Sequence, residues 1–276
     1  MNHDALFWMN MFWVLACAAA FGSFANVLIY RLPRMLLGMN TNTSHDNPSF
    51  NIAVPASFCP QCQHTIQCWH NIPLLSFIGL RGRCAYCQQS IPSRYFWVEL
   101  GTVVWALLSV WMFGLTWQAL SGFVFLYLLW IASWIDALHF LLPDVLNAAL
   151  FGIGLMVVVF FAQGDVWMVL MRALLAAAFG YLILWLPYFA YLKWRGVEGL
   201  GLGDCKLLAA IGCWQGIAAV PNVLLFACVL ALVFGVLLAS LRRQVLRSLK
   251  IPFGPFISAG ALVQMLMMHG HFKLFV

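Results

Sequence analysis

Charge is what this chain lacks. Only 8% of its 276 residues are charged, against 64% hydrophobic, and the mean hydropathy is +0.93. A water-facing fold could not hide that much apolar surface, so a soluble domain is excluded and the bilayer is the expected solvent. A basic stretch before the first apolar run is missing too: Met1-Asn-His-Asp precedes it, whereas Arg31 and Arg34 follow it. A secretory signal peptide has the reverse order, so this run reads as a retained first span. No glycine-rich dinucleotide loop occurs, and the middles of the apolar runs are nearly free of charge. The second absence counts against a transporter, whose substrate and ion sites lie near the bilayer midplane.

A membrane-spanning helix takes about 20 apolar residues. Eight stretches read as candidates: 5–30, 96–113, 118–136, 144–162, 166–192, 206–220, 221–240 and 252–270. The expected fold is an all-α polytopic membrane protein with about eight transmembrane helices. The expected domains are a first transmembrane helix (1–30), a polar segment (31–95) and a membrane domain of about seven helices (96–276). Within the polar segment, 38–55 is rich in Asn, Ser and Thr and reads as irregular loop. Of the 14 basic residues, 12 lie in or beside three loops: the long polar segment, 193–206 and 241–250. With eight spans these loops share one side, which the positive-inside rule makes cytoplasmic, with both termini outside. The net charge of +6 is then a topology signal and not a nucleic-acid footprint.

Of nine cysteines, four form Cys59-Pro-Gln-Cys62 and Cys84-Ala-Tyr-Cys87. Each pair continues alike, as Cys62-Gln-His-Thr-Ile66 and Cys87-Gln-Gln-Ser-Ile91. That small repeat describes two matching knuckles around one tetrahedral Zn2+, a closed set with a folding role and no open position for catalysis. The 21 intervening residues slightly exceed the usual zinc-ribbon gap of about 15–20. A reduced, metal-free set is the alternative. His64 and His70 could replace a thiolate, but four cysteines already complete a shell, so both read as solvated loop residues. Cys17, Cys205, Cys213 and Cys228 lie in or beside spans and Cys68 is left over, which does not describe a disulfide framework.

The acids are few and gathered. Asp136, Asp144, Glu198 and Asp204 are four of only eight. On the topology above, Asp136 ends an inward helix and Asp204 begins an outward one, so both lie near the cytoplasmic surface. Asp204, in Gly201-Leu-Gly203-Asp204, reads either as an N-cap or as a reactive carboxylate. Asp144, after Pro143, reads as a helix cap. Asp136 sits where the helix dipole disfavours an anion, and an ionisable residue at membrane depth is a functional candidate by default. Two carboxylates suit peptide hydrolysis, one acting as base on a water while the other protonates the carbonyl oxygen.

Taken in order, the motifs carry a resemblance. They are Gly22-Ser-Phe-Ala-Asn26-Val-Leu-Ile-Tyr-Arg31-Leu-Pro33, both CxxC pairs, Asn71-Ile-Pro-Leu-Leu-Ser and Tyr95-x-x-Val-Glu99. Then come Ile135-Asp136 with Leu142-Pro-Asp144, Gly201-Leu-Gly-Asp204-x-Lys206 and Ile251-Pro-Phe-Gly-Pro255. The chain resembles the type IV prepilin peptidases, bifunctional leader peptidases and N-methyltransferases of the GxGD class of membrane aspartyl proteases. The resemblance implies Asp136 and Asp204 as catalytic aspartates, and prepilins or pseudopilins as substrates in a bacterial inner membrane. It implies cleavage of a short basic leader after glycine at the cytoplasmic face. It also implies S-adenosylmethionine as methyl donor, with Gly82, just before the second CxxC, implicated in methyl transfer. Gly82 reads equally as a turn residue. One departure is Leu138, where many relatives carry an acid.

Three further expectations follow. Lys206 is placed to neutralise a neighbouring carboxylate, and Glu99, at a helix start, serves the dipole or the family's chemistry. The gathered acids Asp144 and Glu198 are placed to help receive a basic leader. The different-class reading is a non-catalytic assembly factor or transporter with a zinc-knuckle domain, using the aspartates as ion or proton sites.

Overall fold

The computed structural model describes residues 3–37, 51–52, 57–59, 61–67, 72–197, 199–243 and 250–268. Cys68, His70 and Glu198 lie outside them. The described residues fold as helices with no strands: α1 (His3–Leu36), α2 (Leu75–Gly79), α3 (Arg94–Phe113), α4 (Trp117–His139), α5 (Asp144–Phe160), α6 (Val166–Arg195), α7 (Leu202–Gln215), α8 (Ala219–Arg242) and α9 (Gly254–Met268). Five of them, α1, α3, α4, α6 and α8, are long and apolar enough to cross a membrane, while α5 and α9 are apolar but shorter. The protein is thus a multi-pass membrane protein. Its chain divides into two compact units, Met1–Tyr127 and Leu128–Val276.

In the first unit α1 packs against α3. Gly22 makes that approach possible, since a Cβ there would lie 2.8 Å from Glu99 Cα and 2.9 Å from Thr102 Oγ1. Small residues at such crossings replace the hydrophobic driving force that lipid does not supply. One turn on, Asn26 Nδ2 donates to the Tyr95 carbonyl at 3.1 Å and to Glu99 Oε1 at 3.4 Å. Glu99 Oε2 accepts the Leu74 N–H at 2.8 Å. Leu74 sits at φ 60°, a backbone state that costs a branched residue of order 1–3 kcal/mol, so Glu99 anchors a strained turn. The first, fourth and fifth sequence motifs therefore meet here.

Arg31 and Arg34 do not begin the loop, as the sequence suggested, because α1 runs on to Leu36. Pro33 lacks an N–H, but its carbonyl still accepts the Leu37 N–H at 2.9 Å and closes the last turn. Arg34 lies over the Tyr30 ring at 3.4 Å, and buried Arg31 donates through Nη1 to the carbonyls of Asn51 and Ile52.

In the second unit α7 is the centre. It packs against α5, α6, α8 and α9, and nearly all its residues from Asp204 to Gln215 are buried. A helix apolar on every side must be enclosed, and glycines let its neighbours close in. A Cβ at Gly180 would lie 2.7 Å from the Leu208 carbonyl oxygen, and one at Gly212 would lie 2.6 Å from that of Ala176. At the far end of α7, Trp214 Nε1 donates to the Leu150 carbonyl at 2.7 Å.

Candidate active site and a cysteine cluster

Asp136 lies in the last turn of α4, which continues to His139, and it is only 6% exposed. The C-terminal end of its own helix opposes its charge, but a second helix answers that. Its Oδ2 accepts the backbone N–H of Gly254, the first residue of α9, at 2.8 Å. The positive end of the α9 dipole thus faces the carboxylate. A side chain on Gly254 could not be accommodated as things stand, because its Cβ would be 2.8 Å from Asp136 Oδ2. The late motif Ile251-Pro-Phe-Gly254-Pro255, to which sequence reading gave no role, is therefore the seat of Asp136.

Asp204 is the third residue of α7, and Gly201 occupies the N-cap position without a side chain to offer. The acid is therefore no N-cap. A Cβ on Gly201 would lie 3.4 Å from Asp204 Oδ2, and the Asp136 charge acts on Asp204 directly, so the fold brings the two carboxylates together across α4 and α7. Asp204 is 7% exposed, and its Oδ1 has no hydrogen-bond partner among the described residues. Gly203 is small for an internal reason, since a Cβ there would meet Leu142 Cβ at 2.7 Å. Leu142 of the Leu-Pro-Asp motif thus supports the turn that presents Asp204.

Asp144 is no cap either. Pro143 occupies the N-cap position of α5 and Asp144 is the first helical residue, its Oδ1 paired with Lys206 Nζ at 2.6 Å. The expected neutralising partner of Lys206 is therefore Asp144. The ion pair is exposed, the kind worth about 0–1 kcal/mol, and it staples the start of α5 to that of α7. Beneath it Asn147 Nδ2 donates to the Gly203 carbonyl at 3.4 Å. Asn147 was not singled out from sequence, although a buried amide one turn after Asp144 in an apolar helix was the available signal.

The first unit holds the cysteines. The ligand atoms of Cys59, Cys62, Cys84 and Cys87 all lie within 4.8 Å of one another, and Cys59 Sγ is 3.9 Å from Cys87 Sγ. Tetrahedral thiolates at about 2.3 Å from a zinc ion sit about 3.8 Å apart, so the set fits a metal after slight contraction. The repeat is structural as well. Cys59 N–H donates to His64 O at 3.0 Å, and Cys84 N–H to Gln89 O at 2.9 Å. Gln63 and Gln88 both turn back at φ 57°, and the bridges Phe58–Thr65 and Arg83–Ser90 close the two loops. The backbone N–H groups of Cys87 and Tyr86, aided by neighbouring thiols, pull the Cys84 thiol down to about 7 against desolvation. At Cys87 the Gln89 N–H pulls downward, but desolvation and the crowded thiols outweigh it and push the group up to about 11. Four thiolates so close need a cation to ionise together. His64 is no part of this set, and its ring lies 3.7 Å from that of Tyr86.

Gly82 precedes the second knuckle at φ 67°, the left-handed region where glycine is favoured. Its N–H donates to Phe77 O and its carbonyl accepts from Ile91 N–H. A Cβ there would stand 3.0 Å from the Phe77 ring.

Residues 16–113 match the family model Bacterial Peptidase A24 N-terminal domain, and residues 123–236 match the Type IV leader peptidase family. A prepilin leader peptidase/N-methyltransferase of Pseudomonas aeruginosa is 37% identical over 258 residues, 89% of this chain and 86% of its own length. This chain belongs to the type IV leader peptidase family. Relatives of the same name in Aeromonas salmonicida and Burkholderia pseudomallei are 37% and 36% identical, over 94% and 91% of this chain. They are covered over 91% and 84% of their own lengths. No solved structure matches the chain. The leader peptidase model spans both aspartates, and the N-terminal model spans all four clustered cysteines.

Proposed function

We propose that Asp136 and Asp204 are the catalytic pair of a membrane aspartyl endopeptidase. It removes the short basic leader of type IV prepilins or pseudopilins, cutting after glycine at the cytoplasmic face of a bacterial inner membrane. The observation that carries this reading is the meeting of two buried carboxylates from the ends of α4 and α7. Such a pair shares one proton. The ionised member takes a proton from a water whose oxygen attacks the scissile carbonyl carbon, and the protonated member gives its proton to the carbonyl oxygen. Collapse of the tetrahedral species breaks the C–N bond, and the leaving amine takes up a proton. Gly254 holds the Asp136 carboxylate through its backbone N–H, a preorganised contact that needs no rearrangement during the reaction.

Counted with the five long helices, the shorter α5, α7 and α9 bring the spans to eight, and the basic loops set their orientation. Asp144 is already paired with Lys206, which leaves it less free to receive a basic leader than its sequence position suggested.

Methylation of the new N-terminus is the second activity, with S-adenosylmethionine supplying the methyl group. Both backbone groups of Gly82 are engaged inside the loop. We read it as the turn that admits the second knuckle. The cysteine cluster holds structural zinc. Protein purified under reducing conditions is therefore expected to contain about one zinc per chain by elemental mass spectrometry, and Cys62→Ser with Cys84→Ser to contain none. A metal-free wild type of full stability would contradict this.

The test of the peptidase is incubation of purified protein with a model prepilin in lipid. A single cut after the leader glycine supports the reading, and no cut by folded protein across several leaders opposes it.

A further inference from the structure

Asn147 is a polar side chain where packing alone would place an apolar one. It lies in the first turn of α5 and is only 4% exposed. Its Nδ2 donates to the Gly203 carbonyl, so it touches the backbone immediately before Asp204. Its Oδ1 is buried and unpartnered among the described residues, and the same holds for Asp204 Oδ1. A buried oxygen without a donor carries a desolvation cost, which Leu at the same place would not incur. Two such acceptors at one turn call for a small donor with hydrogens for both. Hydrolysis requires such a molecule at this place, a water with a lone pair left free to attack.

We infer that Asn147 is a positioning residue for hydrolysis, its Oδ1 accepting one hydrogen of the attacking water while its amide clamps the turn that presents Asp204. The inference rests on the aspartate reading above. The water's other hydrogen is the proton that the ionised carboxylate removes. The O–C bond forms, the carbonyl π pair moves to its oxygen, and that oxygen takes the proton of the second acid. Asn147 gains and loses no proton, and acts by fixing the direction of the water's lone pair.

The test compares full-length wild type, Asn147→Leu and Asn147→Asp on a model prepilin, with kcat, KM, pH profile and thermal unfolding measured for each. Asn147→Leu is expected to lower kcat about 100-fold with KM little changed and the unfolding midpoint retained, the scale of a misplaced reactant. Asn147→Asp keeps the acceptor, but its ionised form has no hydrogen for the Gly203 carbonyl. Its activity relative to wild type therefore rises as the pH falls and the introduced carboxyl protonates. Asn147→Leu with kcat within about threefold of wild type overturns the inference. So does a loss that follows the folded fraction in both variants, without recovery of Asn147→Asp at lower pH. Folded wild type that cleaves nothing removes the aspartate reading itself, whereas wild type and Asn147→Leu cleaving alike removes only the role of Asn147.

Discussion

Asparagine at position 136 or 204 is expected to lower the leader-cleavage rate by about 10⁴-fold or more while leaving the protein folded and inserted. The change is nearly isosteric. At position 136 the new amide oxygen can still accept the Gly254 N–H, which Oδ2 now takes at 2.8 Å. At position 204 the side chain still fits beneath the Gly201 turn. What disappears is the proton traffic, since an amide neither takes a proton from water nor returns one to the carbonyl oxygen. Cleavage rates, with thermal unfolding in the same detergent as a folding control, check this. Because one proton is shared, neither variant should keep a fraction of the activity in proportion to the carboxylate that remains.

Gly254→Ala carries the second largest expected effect. The added methyl would lie 2.8 Å from Asp136 Oδ2 and 3.3 Å from its Cβ and Cγ, so either the carboxylate turns away or the start of α9 retreats. Each response breaks the bond that holds Asp136 against the dipole of its own helix. A displacement of that size at a reacting group costs about 100-fold in rate. Gly152→Ala is the control, because a Cβ there meets nothing within 4 Å, and it should cleave as wild type does. Equal rates for the two alanine variants would show that α9 does not seat the aspartate.

Much of this was legible in the chain itself. Each of the eight apolar stretches falls on a helix of the described residues, five of which are long and apolar enough to cross a membrane. Both aspartates and the cysteine repeat stand out because charge and thiols are rare in such a chain, so their positions are informative. What could not be read are contacts made across long separations. The Gly254–Asp136 bond spans 118 residues, and nothing local to Ile-Pro-Phe-Gly-Pro says which side chain its N–H will meet. The same is true of the Leu142–Gly203 approach, which leaves no room for a side chain at that glycine. Asp144 looked like a cap because Pro-Asp at a helix start usually is one, and only the approach of α7 gives it Lys206 instead. Arg31 and Arg34 looked like loop residues because the apolar run reads as ending at residue 30, yet α1 runs on to Leu36 and the Pro33 carbonyl serves its final turn.

The most direct test of the central claim, that Asp136 and Asp204 act as one unit, is a double-variant cycle on prepilin cleavage. Wild type, Asp136→Asn, Asp204→Asn and the double variant are compared for kcat/KM at one pH, each shown to be folded. The account predicts that either single change already brings the rate to the floor and that the double variant falls no further. Losses that multiply in the double variant, or a single variant that cleaves like wild type, would contradict it.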